Sequence, residues 1–149
     1  MNLVERAKEL AHRAHAGQVD KAARPYIEHV ARVAAAVSDD PEAEAVAWLH
    51  DVLEDCDRSY GVELLHDMPL SIYCAVLVLT RRDGEGPRRY YGGVRANPLV
   101  LRVKLADIAD NSDEARLALL DEKTSERLRR KYANARKALA PPSTEGELS

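Results

Sequence analysis

Only two cysteines occur in the 149 residues, Cys56 and Cys74, and their spacing matches neither a CxxC pair nor any ligand pattern. They are expected to be small reduced residues in or near the core of an intracellular protein rather than a structural bridge. No apolar run approaches the ~18–20 residues of a membrane span. The N-terminus, MNLVERAKEL, is charged at Glu5, Arg6, Lys8 and Glu9, so neither a membrane nor a secretory route is expected and the location reads as cytoplasmic. No charge sign dominates either: 22 basic and 25 acidic side chains leave a net charge of -3. That balance lacks the broad basic footprint of a nucleic-acid polymer binder, so a polyanionic partner must be met locally. Internal repeats and domain boundaries are absent as well. The length suits one domain of roughly 100–200 residues, enough for a core without disulfides.

What is present is helical punctuation. Asn2 with Glu5 three residues on reads as a capping box, followed by the stripe Leu3, Ala7, Leu10, Ala11 and Ala14, ending at Gly17. Residues 17–25 show no period, and Pro25 suits the first turn of a second helix carrying Ile27, His29, Val30, Ala34 and Val37. Asp40-Pro41 starts a third, unusually apolar helix running to Leu53, expected in the middle of the domain with His50, Asp51, Glu54 and Asp55 inside. A short helix through Val62, Leu64 and Leu65 stops near Pro69. Ile72 to Leu79 is read as helix despite its β-branched residues, because a lone strand cannot satisfy its backbone. Residues 81–97 (RRDGEGPRRYYGGVRAN) read as a flexible segment with one helical turn near Tyr90, a lid candidate. Asn97-Pro98 opens a helix whose apolar face is Leu101, Leu105 and Ile108, followed by helices at 113–120 and 124–139. The expected organisation is one all-α bundle over residues 1–139 and a disordered tail at 140–149.

Chemistry concentrates in AVAWLHDVLED, which sets four ionisable groups among apolar residues. Burying them is costly unless a metal or partner compensates. Positions 50 and 54, and 51 and 55, lie one turn apart, so one layer can bind a cation while the next faces substrate. Asp107 and Asn111 are similarly spaced in LRVKLADIADN, although Asp107, Asp110 and Asp113 also fit a solvated face. His29 alone reads as an ordinary surface or core histidine. Two imidazoles and two carboxylates would suit one divalent ion, Mn, Fe, Zn or Mg, with positions left for water and a phosphate oxygen.

In order along the chain stand His15-Ala16-Gly17-Gln18, Pro25-Tyr26-Ile27-Glu28-His29, Leu49-His50-Asp51-Val52-Leu53-Glu54-Asp55, Leu79-Thr80 and Val103-Lys104-Leu105-Ala106-Asp107, with Asn111 beyond. On these motifs the chain resembles the hydrolase domain of RelA/SpoT-type alarmone enzymes and their small stand-alone relatives, within the HD phosphohydrolase superfamily. The resemblance implies an all-helical HD domain with a central Mn(II) held by His29, His50, Asp51 and Asp107. It implies that Glu54 and Asp55 position or activate the attacking water, with Glu54 the first choice of base. The reaction it implies is release of pyrophosphate from the 3′ position of guanosine tetra- or pentaphosphate.

The resemblance is interrupted at the nucleotide-reading positions. Where the family usually carries Arg-Lys after its Gly-Gln step, this chain has Asp20-Lys21. Lys21 and Arg24 are then the substrate-binding candidates of that loop, with Asn111 the third, and Asp20→Arg is expected to improve alarmone hydrolysis. The aspartate motif usually continues Arg-Leu-His-Asn-Met-Arg-Thr, whereas here it reads Ile108-Ala109-Asp110-Asn111-Ser112-Asp113-Glu114, and Asp113 and Glu114 are expected to repel substrate phosphates. The arginines at 81, 82, 88, 89 and 95 with Tyr90 and Tyr91 are either phosphate and stacking contacts or an ordinary solvated loop. The basic stripe of the last helix reads as its exposed side. Two alternatives stand beside the alarmone reading. One is the same metal chemistry on another phosphorylated nucleotide or cofactor, such as NADPH or a nucleoside phosphate; the other is a non-catalytic metal- or nucleotide-binding module. A homo-oligomer is compatible with the sequence.

Overall fold

In the computed structural model, which describes residues 1–141, ten helices and no strand are formed among the described residues. The disorder expected of the tail lies, for residues 142–149, outside the described residues. Local signals set most helix starts. Asn2 and Glu5 complete the capping box of α1 (Leu3–Ala14), and Asp40 accepts from the Glu42 amide to open α3 (Pro41–Leu49). Asn97 accepts from Leu99 and Val100 at the head of α8 (Pro98–Asn111). Each such cap satisfies amides that the first turn leaves unpaired.

Helices α1 and α2 (Tyr26–Ala36) pack against α3, and α8 lies among α2, α3, α6 (Leu70–Leu79), α7 (Pro87–Arg95) and α10 (Glu122–Leu139). α3 is buried along most of its length, with Ala43, Ala45, Val46, Ala47 and Leu49 at 0% exposure, as its all-round apolar sequence requires. On α8 the buried stripe is Val100, Val103, Asp107 and Ile108, while Leu105 is exposed. The expected face is therefore shifted, because the helix is buried on several sides and turns a carboxylate inward.

Three further expectations are corrected. The third helix does not run through to Leu53: it stops at Leu49, and α4 (Val52–Asp55) starts afresh after His50 and Asp51. His50 Nδ1 bonds back to the Ala47 carbonyl at 2.6 Å, and Asp51 takes φ -105°, ψ 0°. Glu54 and Asp55 consequently reach solvent at the rim instead of lying inside. Residues 87–95 form the regular helix α7, not one turn of a mobile segment, because Tyr90 and Val94 are buried and the Tyr90 hydroxyl donates to the Leu79 carbonyl at 2.8 Å. Finally, Cys74 is exposed and Cys56 half-buried, both free, so Cys74 is no core residue. The remaining short helices are α5 (Arg58–Asp67) and α9 (Glu114–Leu117).

Candidate metal centre and nucleotide cavity

The helix break at 49–52, the first turn of α2 and α8 at Asp107 meet at one point. There His29, His50, Asp51 and Asp107 each offer one ligand atom, and all four atoms lie within 4.8 Å of one another. His29 Nε2 is 3.0 Å from Asp107 Oδ1; His50 Nε2 is 3.0 Å from Asp51 Oδ2 and 3.3 Å from Asp107 Oδ1. His29, His50 and Asp107 are buried, and Asp51 is nearly so.

The outer faces of the imidazoles decide what the inner faces can do. His50 Nδ1 meets a carbonyl, that of Ala47, and His29 Nδ1 meets the Asp110 carboxylate at 2.6 Å. Both partners only accept, so each Nδ1 carries the proton and each neutral ring turns the Nε2 lone pair inward. Lone pairs directed at carboxylate oxygens repel unless a cation lies between. Without a metal, protons fill that role. Burial pulls the His50 pKa down, but Asp51 and Asp107 outweigh it and hold it well above the usual imidazole value. Burial pushes Asp107 up, but His50, His29 and Lys104 hold it well below the usual carboxylate range. Two nitrogens and two carboxylate oxygens, oriented and short of a full shell, fit a divalent ion of the Mn, Fe or Zn kind.

Supporting contacts reveal residues that the sequence reading missed. Tyr26 donates to Asp51 Oδ2 at 2.6 Å, and Lys104 Nζ donates to Asp107 Oδ2 at 3.1 Å, leaving Oδ1 toward the histidines. Asp110, for which a solvated face was one of two readings, accepts from His29, Arg32 and Arg116 together. Burial raises its carboxyl, but His29 and Arg32 with Arg116 bring it down to about 2. The available signal was the Asp107–Asp110 spacing, one turn of α8.

A cavity of about 600 Å3 opens beside the centre. Lys21, Arg24 and Asn111 all line it, as does Asp55; Leu117, Leu120, Leu128 and Tyr132 supply an apolar side. Asn111 also donates to Asp107 Oδ1 at 3.0 Å, so it touches the candidate ligand as well as the cavity. Arg24 pairs with Glu28. Glu54 is not a cavity-wall residue. Burial and then the neighbouring Asp51 raise the pKa values of both Glu54 and Asp55.

Asp20 does not stand free in this cavity. Its Oδ1 accepts the amides of Ala22 and Arg24, and its Oδ2 pairs with Arg116 at 3.0 Å. These bonds brace a tight loop in which Ala23 sits at φ 61° and Val19 bridges to Pro25. Asp113 caps α9, and Glu114 pairs with Arg129. Neither lines the cavity, so the expected repulsion of substrate phosphates by these two residues is not set up.

No family model matches the chain. It is 30% identical over 122 residues to the "Probable GTP pyrophosphokinase" of Mycobacterium leprae and 33% identical over 121 residues to the "GTP pyrophosphokinase" of Streptomyces coelicolor. These matches cover 74% and 72% of this chain but only 16% and 14% of the two relatives. Among solved structures it is similar to a metazoan ortholog of SpoT, described as hydrolysing ppGpp with a role in starvation responses. There the TM-score is 0.75 at 22% identity, covering 93% of this chain and 84% of the other. The bundle has the HD fold, and the chain resembles the RelA/SpoT-type hydrolase domain.

Proposed function

We propose that this HD-fold, RelA/SpoT-like chain is a metal-dependent pyrophosphohydrolase of the cytoplasm that removes the 3′ pyrophosphate of guanosine 3′,5′-bis(diphosphate) and its pentaphosphate counterpart. The observation that supports it most is the pair of imidazoles whose Nδ1 protons are committed outward, so that both Nε2 lone pairs meet Asp51 and Asp107 beside a nucleotide-sized cavity. His29, His50, Asp51 and Asp107 would hold one divalent ion, Mn(II) as the first choice. When bound, such an ion lowers the pKa of water and offsets phosphate charge. Glu54 accepts the proton of the attacking water, and Asp55 at the cavity wall orients that water. Attack forms a bond to the phosphorus attached to the ribose 3′ oxygen and breaks the bond between them. Pyrophosphate retains that phosphorus, and the 3′ oxygen leaves as a hydroxyl after taking a proton. Lys21, Arg24 and Asn111 hold the nucleotide.

A second reading, hydrolysis of another phosphorylated nucleotide or cofactor such as NADPH, draws on the pinned Asp20, which changes the reading surface of the loop. The test is pyrophosphate release from guanosine tetraphosphate with added Mn(II), beside NADPH and a nucleotide panel, with chelator controls. Chelator-sensitive release from the alarmone is expected. Turnover of a different compound alone establishes the second reading, and metal binding with no turnover of any compound overturns both.

A further inference from the structure

Arg116 reaches two places at once. It stands on the short helix α9, where the Asp113 side chain accepts its backbone amide at 3.3 Å, and it lines the nucleotide cavity. One terminal nitrogen of its guanidinium donates to Asp20 Oδ2 at 3.0 Å, while the other donates to Asp110 Oδ2 at 2.7 Å and to Asn111 Oδ1 at 3.3 Å. Each of these partners is bonded onward. Asp20 Oδ1 holds the amides of Ala22 and Arg24 in the loop between α1 and α2. Asp110 Oδ2 accepts from His29 Nδ1 at 2.6 Å, and Asn111 Nδ2 donates to Asp107 Oδ1 at 3.0 Å. The guanidinium is therefore two contacts from the loop backbone on one side and two contacts from the candidate ligands His29 and Asp107 on the other.

The arrangement is sheltered and stiff. The side chains of Arg116, Asp20 and Asp110 are 22%, 11% and 13% exposed, so water competes poorly for these bonds. A planar guanidinium fixes the separation of the two carboxylates it bridges, which the single point charge of a lysine does not. The loop depends on that hold. Ala23 sits at φ 61°, a left-handed conformation that a residue with a Cβ keeps only while its surroundings impose it, and the Ala23 amide is bonded to the Asp20 carbonyl at 3.0 Å.

We propose that Arg116 is a positioning residue that couples the two sites: loading the metal centre orders the loop that carries Lys21 and Arg24, and the ordered loop raises metal affinity by the same factor. A cation held by His29 and Asp107 takes freedom from both. Asp110 and Asn111 follow, the guanidinium is fixed between them, and its far nitrogen keeps Asp20 where Oδ1 meets the loop amides. Order introduced at one end lowers the entropy lost in ordering the other. This rests on the metal-dependent hydrolase reading above and deepens it, because the nucleotide meets a formed loop only once the metal is in place.

The test is amide hydrogen exchange, read by mass spectrometry over the peptide containing residues 20–26, with and without saturating Mn(II), in wild type, Asp20→Asn, Arg116→Gln and Arg116→Lys. Titration calorimetry establishes saturation, and circular dichroism checks folding. In wild type, Mn(II) is expected to slow exchange in this peptide about fivefold, the low end of ordinary coupling between sites. Asp20→Asn keeps one oxygen for the two loop amides and turns its new amide toward Arg116, donor against donor, so it cuts the link while sparing the loop's own bonds. In all three variants the Mn-dependent slowing is expected to fall below about 1.5-fold. Arg116→Lys retains the charge, so its expected Mn(II) binding, about fivefold weaker than wild type, reads lost coupling and not an altered field. An arginine with a merely structural role would loosen the loop in both states and leave the Mn-dependent difference intact, and that outcome overturns the coupling. So does slowing in Asp20→Asn and Arg116→Lys equal to that of wild type, which would run the effect through α2, whose first turn follows the loop. Mn(II) binding to wild type without any change in the loop overturns the coupling and leaves the hydrolase reading standing, whereas failure of wild type to bind Mn(II) overturns both.

Discussion

Asp110 offers the sharpest test of how the centre is held. Its Oδ2 receives His29 Nδ1 at 2.6 Å, Arg116 at 2.7 Å and Arg32 NH2 at 3.2 Å, while Oδ1 receives Arg32 Nε at 2.7 Å. Every contact is a donor. In Asp110→Asn one oxygen survives, and it serves best at the three-donor position; the new amide then faces Arg32 Nε, donor against donor. Arg32 is half-exposed and can turn to water, so His29 keeps an acceptor, though a neutral one. The expected cost is about tenfold in Mn(II) affinity, about 1.4 kcal/mol. Asp110→Ala goes further. Arg116 NH1 already lies 3.5 Å from His29 Nδ1, and without the carboxylate it favours the tautomer with the proton on Nε2, the nitrogen that must face the metal. The loss then approaches a hundredfold, about 2.8 kcal/mol. Titration calorimetry with Mn(II) reads both values, with circular dichroism as the check on folding. Because the Asp110 carboxyl is held near 2, its own ionisation does not change between pH 5 and 9. A folded Asp110→Ala protein that binds Mn(II) within about twofold of wild type would refute the orienting role.

Three further outcomes are expected. Glu54 must be ionised to accept a proton, so activity falls as the pH drops through its pKa; burial and Asp51 raise that pKa in the metal-free centre, and a cation held by Asp51 offsets the second of these. Glu54→Gln should lose roughly 100-fold or more in kcat with unchanged Mn(II) affinity, and full activity in that variant would remove it as the base. Leu49, at 0% exposure just before His50, should cost about 2–5 kcal/mol when cut to alanine; a urea-melt change below about 1 kcal/mol would show that the break at 49–52 tolerates a cavity. Asp20→Arg should weaken nucleotide binding, because it unfastens two loop amides and sets guanidinium against Arg116. Combining it with Arg116→Asp should recover part of the loss, and an improvement from Asp20→Arg alone would contradict that account.

Local and distant information divide cleanly in this chain. Asn2, Asp40 and Asn97 announced their helices because a cap is a contact within three residues. The apolar pattern from Ala43 to Leu53 gave no sign of the break at His50, since every residue there tolerates a helix and the interruption is a back-bond from a side chain to Ala47. α7 was hidden by its two glycines; burial of Tyr90, whose hydroxyl donates to the Leu79 carbonyl, outweighs their low propensity. The four residues converging at the centre came from motif resemblance, not spacing, for His29 and Asp107 are 78 positions apart. The roles of Asp110 and Arg116 were not legible because each acts across elements, and no local pattern separates a carboxylate that holds His29 from one facing water; the Lys104–Asp107 pair, by contrast, lies within α8 at a spacing of three.

The same distinction changes the meaning of the acidic substitutions. Read one position at a time, carboxylates at 20, 113 and 114 oppose a phosphorylated ligand. In the fold each has a partner: Asp20 holds its loop and Arg116, Asp113 caps α9, and Glu114 meets Arg129. Arg116 in turn holds Asp110 against His29. A negative charge in the nucleotide loop is thus tied through one guanidinium to the orientation of a metal-facing imidazole, and it adds little net field to the cavity. The potential that a ligand meets is then set by Lys21 and Lys131, the cavity cations without an ion-pair partner among the described residues, so that restoring a positive charge at position 20 should change that potential less than removing either lysine.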